Sequence, residues 1–244
     1  MFTNKNTNTQ SYFSSASYNG GLKRHFSSVY SYMSSALAVT GLVAFAASKS
    51  MTLMQLFFSN PFMMLIFMFF PIGLSYYMTS RVQTLSLSGM GTCLMVYSGL
   101  IGLSLAPIFL IYTGVSIAKT FFIASSVFGI TSIYGYVTKK DLSSIGSFAM
   151  MGVIGIFLIF MVNMLLKSSG LDFAISLIGL ACFIVLAAWD TQKIKDIYLS
   201  AGSVAQQSEM MQKLGVLSAL SLYMDFINIF IFFLRFMGER RNNN

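Results

Sequence analysis

The sequence predicts an all-α polytopic membrane protein: a bundle of seven transmembrane helices with the last helix at its centre. Three observations carry this. First, 56% of the 244 residues are hydrophobic and only 9% charged, where a soluble domain has about 25% charged residues; mean hydropathy is +0.74. Second, apolar stretches long enough to cross a bilayer, for which about 20 residues suffice, recur along the chain. Third, the last of them, residues 215–236, keeps its polar members in register. Ser218, Ser221, Asp225, Asn228 and Arg235 follow one another at helical spacing and form one stripe. Lipid offers Asp225 no hydrogen-bond partner, and a carboxylate at a helix centre costs roughly 2.5–3.5 kcal/mol on insertion scales. The stripe should therefore face protein or a water-filled cavity, with the other helices packed around it.

Residues 1–25 are rich in Ser, Asn, Thr and Tyr and lack the apolar core of a signal peptide, so they read as a disordered polar tail. The transmembrane domain covers 26–238. Its first span is 29–47. The second is 61–78, kinked at Pro71 and followed by Arg81. The third, 88–111, carries small residues at Ser98, Gly102 and Ala106, a spacing that lets helices approach closely. The fourth, 115–137, has a similar seam at Ser125, Gly129, Ser132 and Tyr136, and Lys119 near its start can snorkel to the interface. A charged turn, 138–141, leads to the fifth span, 145–166, with Asn163 near its end. The sixth, 173–189, stops at Asp190. A polar linker holding Gly202, Gln206, Gln207 and Glu209 precedes the last span, and a polar tail, 239–244, closes the chain.

The net charge of +8 reflects loop lysines and arginines read by the positive-inside rule and excludes no membrane reading; it does not point to nucleic acid. Seven crossings put nine of the 15 basic residues on the side of the N-terminus, which favours a cytoplasmic N-terminus. The basic C-terminal tail argues the other way, and a re-entrant last segment would put both ends in the cytoplasm; the full crossing is the preferred reading. Cys93 and Cys182 lie inside apolar segments as free thiols, and the lone His25 has no cluster around it that would make a metal site. No nucleotide loop, zinc spacing or nucleophile–base motif is present, so neither an enzyme nor a cofactor is expected.

Three ionisable residues need an account. Seven crossings bring Asp190, Asp225 and Arg81 toward the same, cytoplasmic half of the bundle. Two carboxylates in a poorly hydrated site cannot both ionise cheaply and titrate as a coupled pair, which an adjacent arginine would bias toward the charged form. A protonation switch near neutral pH is the resulting expectation. The plainer readings stay open beside it: Asp225 as hydrogen-bonded helix glue, Asp190 as an interfacial residue near Lys193, and Arg81 as a positive-inside anchor.

Three blocks carry a family resemblance. They are residues 121–142, which include the run 132–142 (SIYGYVTKKDL); residues 188–192 (AWDTQ); and residues 220–228 (LSLYMDFIN). With them the chain resembles the Bax inhibitor-1 (transmembrane Bax inhibitor motif) family over about 103–238, and its short loops resemble the bacterial members of the inner membrane. The resemblance implies a seven-helix bundle with the last helix central. It also implies a pH-sensitive aspartate pair, here Asp190 and Asp225, that regulates calcium leak, with Arg81 matching the span-two arginine that latches onto the pair. Trp189 stands where the family usually has tyrosine.

Three functions compete. The first is a passive calcium pathway gated by Asp190 and Asp225, with Ser218, Ser221 and Asn228 along it. Calcium usually takes six to eight oxygens, so these residues suit transient passage better than storage. The second is a non-conducting regulator that binds a membrane partner such as a membrane-anchored protease, through the tail and the 200–213 linker. The third is an intramembrane aspartyl protease, which the missing Gly-x-Gly before Asp225 disfavours.

Overall fold

The computed structural model describes residues 6–58, 61–201, 206 and 208–241, with side chains described for these except 6–19, 56–58, 61, 62 and 64–68. Within them the chain forms helices α1 (Asn6–Ser48), α2 (Met51–Phe58), α3 (Pro61–Ser80), α4 (Leu87–Leu105), α5 (Ile108–Ile111), α6 (Gly114–Val137), α7 (Ser143–Leu166), α8 (Ser169–Ser200) and α9 (Glu209–Met237). Among the described residues six stretches are long and apolar enough to cross a membrane: Gly20–Ser48, Leu87–Ile111, Gly114–Val137, Ser143–Leu166, Ser169–Ser200 and Glu209–Met237. The expected second span, 61–78, falls on α3, much of whose first half has side chains outside the described residues. Gly202 and Gln207 of the expected linker, Lys5 of the tail and residues 242–244 also lie outside them.

The helices begin where serine or threonine can cap them. Ser86, Thr113, Ser168 and Ser208 accept from Gly89, Ser116, Leu171 and Met211 N–H groups at the starts of α4, α6, α8 and α9. Orphan amides would otherwise stand at the membrane edge without partners. α7 ends at Lys167, whose backbone is left-handed at φ 52°, and the turn is held by Asn163. The Asn163 carboxamide accepts from the Ser168 N–H at 3.0 Å and donates to Asp172 Oδ1 at 2.7 Å.

Three boundaries differ from expectation, and one physical reason covers them. Hydropathy falls where lipid contact ends, but helices continue while one face still has protein to bury. α8 runs eleven residues past Trp189 to Ser200, because Ile194 and Tyr198 keep the helical spacing and are buried. α9 starts at Glu209 instead of 215, capped by Ser208 and tied by a Lys213–Glu209 ion pair at 3.2 Å. α1 already includes Gly20–His25 of the expected tail, with Leu22 buried and the His25 ring stacked on Tyr198 at 5.1 Å. The third expected span keeps its bounds as the stretch Leu87–Ile111, interrupted at Ala106 and Pro107 between α4 and α5.

α9 touches α1, α3, α4, α6 and α8, and 56% of its most apolar window is buried, against 11–33% for the other candidate spans. The buried core gathers Val29, Met33 and Ala36 of α1, Leu94 and Tyr97 of α4, Phe128 of α6, Ala187 of α8 and Ala219, Leu222 and Phe226 of α9. α7 packs on α8, and its outer face, including Phe148, Ile154 and Leu158, is exposed as a lipid-facing surface should be.

Contact between helices is set by small residues, since apolar surface alone gains little by leaving lipid for protein. Ser98, Gly102 and Ala106 are all buried, as their spacing predicted, and a Cβ on Gly102 would stand 2.7 Å from the Thr40 carbonyl oxygen. There Thr40 Oγ1 lies 2.6 Å from the fully buried Tyr223 hydroxyl and 3.0 Å from the Ser98 carbonyl oxygen, tying α1, α4 and α9 together. The seam expected on the fourth span is displaced only in part, since Ser132 is buried. Gly129 has open space where its Cβ would be, and Tyr136 is exposed. The close approach occurs at Gly135, where a Cβ would collide with the Ala188 carbonyl of α8. The buried positions of the helix are Ser116, Thr120, Ala124, Phe128, Ser132 and Gly135.

Gly135→Val should therefore lower stability by about 1–3 kcal/mol through overpacking, read as a drop in thermal midpoint in detergent. Gly129→Ala should leave that midpoint unchanged or slightly raise it.

Candidate functional site

The block 188–192 is built as a junction between α8 and the elements packed on it. Ala188 lies against Gly135 of α6. Trp189 lies against Gly146 of α7, where a Cβ would strike the indole, so the ring larger than tyrosine has its room there. Thr191 is fully buried and returns its hydroxyl to the Ala187 carbonyl at 2.8 Å. The Gln192 carboxamide accepts from the Leu142 N–H and donates to the Lys140 carbonyl, both at 2.8 Å. Lys195, one turn on, donates to the carbonyls of Tyr136 and Thr138 at 2.9 and 3.2 Å and so completes the clamp on the α6–α7 turn. In that turn the Asp141 carboxyl is held below the usual carboxylate range by hydrogen bonds from Ser143.

That leaves Asp190. Its carboxylate is mostly buried and meets Lys193 Nζ at 3.5 Å, one turn along α8. The same ammonium sits 4.5 Å from the centre of the Trp189 ring, a cation–π distance. Asp190 and Lys193 both face a cavity of about 570 Å³ between α3, α8 and α9, where Ser75 and Thr79 of α3 stand opposite Ser218 and Ser221 of α9.

Asp225 lies one turn beyond Ser221 on α9, is only 4% exposed, and its Oδ2 has no hydrogen-bond partner among the described residues. The charges of Asp190 and Lys193 act on it across the α8–α9 contact. The expected stripe thus divides. Ser218 and Ser221 open on the cavity and Asp225 is sealed beside it. Asn228 is half-buried and donates back to the Met224 carbonyl at 2.8 Å, while Arg235 is exposed at the far end of the helix. Asp190 is not at the end of its helix, because α8 continues for two and a half more turns.

Arg81 is placed apart from the two aspartates. It is exposed in the turn after α3, and the ion pairs among the described residues are Lys193–Asp190 and Lys213–Glu209. The cation at the pair is Lys193. Its three-residue spacing from Asp190 was the only signal for this in the sequence. Among the described residues no three His, Cys, Asp or Glu side chains converge as a metal centre.

The comparisons with known proteins agree with the three blocks. The family model described as inhibitor of apoptosis-promoting Bax1 matches residues 22–242. The chain belongs to this family. It is 47% identical to the uncharacterized protein RP147 of Rickettsia prowazekii over 222 residues, 91% of this chain and 92% of that one. It is 40% identical to the inner membrane protein YbhL of Escherichia coli K12, over 91% of this chain and 94% of YbhL. An uncharacterized protein of Borreliella burgdorferi is 36% identical over 88% of this chain and 91% of its own length. As a Bax inhibitor-1 family member with six helices of spanning length among the described residues, the chain is a multi-pass membrane protein. All three motif blocks lie inside the matched region, and the site built from 188–193 and 218–225 is made from two of them.

Two variants check this geometry. Gln192→Leu strands the buried Leu142 N–H and should cost about 1–3 kcal/mol for that unpaired group, measured by thermal unfolding. Lys193→Met should shift the emission of Trp189, the only tryptophan in the chain. Lys195→Met, which removes a cation facing the α6–α7 turn instead, should leave that emission unchanged.

Proposed function

We propose that this protein is a calcium leak pathway of a bacterial inner membrane, gated by protonation of the Asp190–Asp225 pair. The reading takes seven spans, α9 in the middle and the N-terminus in the cytoplasm. One observation carries it: a buried carboxylate with an unpartnered oxygen, Asp225, beside an ion-paired carboxylate, Asp190, that opens on a cavity. Intramembrane acids are costly and usually mark ion or proton pathways. The inner-membrane placement rests on similarity to YbhL.

In this mechanism the cavity is the vestibule and the pair is the plug. Two carboxylates in mutual electrostatic reach titrate as one coupled unit, so a single proton changes the charge that a divalent cation meets. With both ionised, Lys193 holds Asp190 along α8, its charge also faces Asp225 across the α8–α9 contact, and the path is latched. Uptake of a proton weakens that hold, and Ser218 and Ser221 then supply hydroxyl oxygens to a passing ion. Arg81 stands two residues beyond Thr79 of the cavity wall and joins the latch only when α3 swings inward. No step of this reading is enzymatic or uses a cofactor. The lysine on Asp190 also disfavours the shared-proton dyad that an aspartyl protease needs.

Calcium flux into proteoliposomes, followed across about pH 6 to 8 for a coupled pair, is the test. Wild type should leak in a pH-dependent way, and Asp225→Asn should flatten that dependence while the protein keeps its thermal midpoint. Flux no greater than in empty liposomes at every pH would overturn the leak reading and leave the family member as a regulator of a membrane partner.

A further inference from the structure

A second polar cavity lies at the opposite end of the bundle, where α9 ends. It measures about 390 Å³, and the charges opening on it are Asp172 of α8, Arg235 of α9 and Arg240 of the C-terminal segment, between the rings of Tyr112, Phe160 and Phe236. None of these three charges is within ion-pair distance of another, since the described ion pairs lie elsewhere. Asp172 receives one bond, from the Asn163 carboxamide at 2.7 Å. Two cations and an anion left mutually unpaired around one cavity are arranged for a group that brings both signs of charge.

The C-terminal segment is fastened in place, and this fixes Arg240 there. After Gly238 the chain turns back along the α5–α6 junction: the Thr113 N–H donates to the Glu239 carbonyl at 3.1 Å and the Arg241 N–H to the Ile111 carbonyl at 2.8 Å. The Glu239 N–H donates to Ser116 Oγ at 2.9 Å. Residues 240 and 112 pair as an isolated antiparallel bridge. Arg235 is steadied by the Phe232 ring, 5.8 Å from its guanidinium carbon. The cavity is at a span end, the depth of lipid headgroups, with aromatic rings of the kind found at that depth. Leading away from it, the outer face of α8 exposes Phe173, Leu177 and Ile178, an apolar track for an acyl chain.

We propose that this cavity binds the headgroup of a zwitterionic phospholipid bearing a primary amine. Arg235 and Arg240 take the phosphodiester, for which planar guanidinium forks are suited. Asp172 takes the ammonium, and the acyl chains lie on α8. A purely anionic headgroup would set its charge against Asp172, and free phosphate would make no use of the apolar track. The site is separate from the Asp190–Asp225 pair, so it stands or falls independently of the leak.

The full-length protein in detergent, titrated with phosphatidylethanolamine, phosphatidylglycerol or inorganic phosphate, tests this by native mass spectrometry and thermal shift. Phosphatidylethanolamine should bind most tightly. The double variant Arg235→Gln, Arg240→Gln should weaken it roughly tenfold or more, as loss of charged hydrogen bonds does. Arg241→Gln, whose guanidinium lies on the Phe109 carbonyl instead, should change nothing. Asp172→Asn keeps the acceptor for Asn163 and should erase the preference over phosphatidylglycerol without lowering the lipid-free thermal midpoint. Equal binding of the two lipids by wild type, competition by inorganic phosphate alone, or an unchanged preference in Asp172→Asn would each overturn the proposal.

Discussion

A lipid bilayer has no hydrogen bonds to give, and that constraint arranges most of this molecule. Each polar side chain inside the spans must find a protein partner, return to its own helix, or open on a cavity. Thr191 and Asn228 return to their helices. Thr40, Tyr223 and Ser98 find one another across three helices. Ser218, Ser221, Asp190 and Lys193 open on a cavity. Ser132 Oγ and Asp225 Oδ2 are buried with no hydrogen-bond partner among the described residues, and of the two only Asp225 can carry a charge.

The junction at 188–192 shows how one short block can serve architecture and chemistry together. Three of its five residues, Ala188, Trp189 and Gln192, fix α8 against α6, α7 and the turn joining them, and Thr191 bonds back to its own helix. They thereby aim the fifth, Asp190, at α9. Gly135 and Gly146 matter for the same reason: each omits a side chain where α8 needs the room. Motifs of this kind look catalytic in a sequence, yet most of their members hold position, and the reactive one is identified only by what the others leave facing a cavity.

The two ends of the bundle differ in their chemistry. Around the α6–α7 turn, lysines face backbone carbonyls and the Asp190 carboxylate. Around the end of α9, arginines and Asp172 share a cavity among aromatic rings without pairing. The first arrangement stores an internal balance of charge. The second leaves its charges available to the membrane.

Composition and periodicity were enough for the membrane class, for the six helices of spanning length among the described residues and for the small-residue contact at Gly102, because each follows from local rules of hydropathy and helical spacing. The ends of α8 and α9 were not legible, since amphipathic turns beyond the lipid are held by contacts with α1 and with each other that no hydropathy window senses. The seam on α6 was partly misplaced because several small residues fit the spacing and only the rotation of the helix selects Gly135. The separation of Arg81 from the aspartates was likewise a matter of tertiary placement, whereas Lys193 reaches Asp190 by local helical spacing. Sequence determined which residues are too polar for lipid; the packing of α8 on α9 decided which of them meet, because partners distant in the chain are chosen by geometry that local chemistry does not encode.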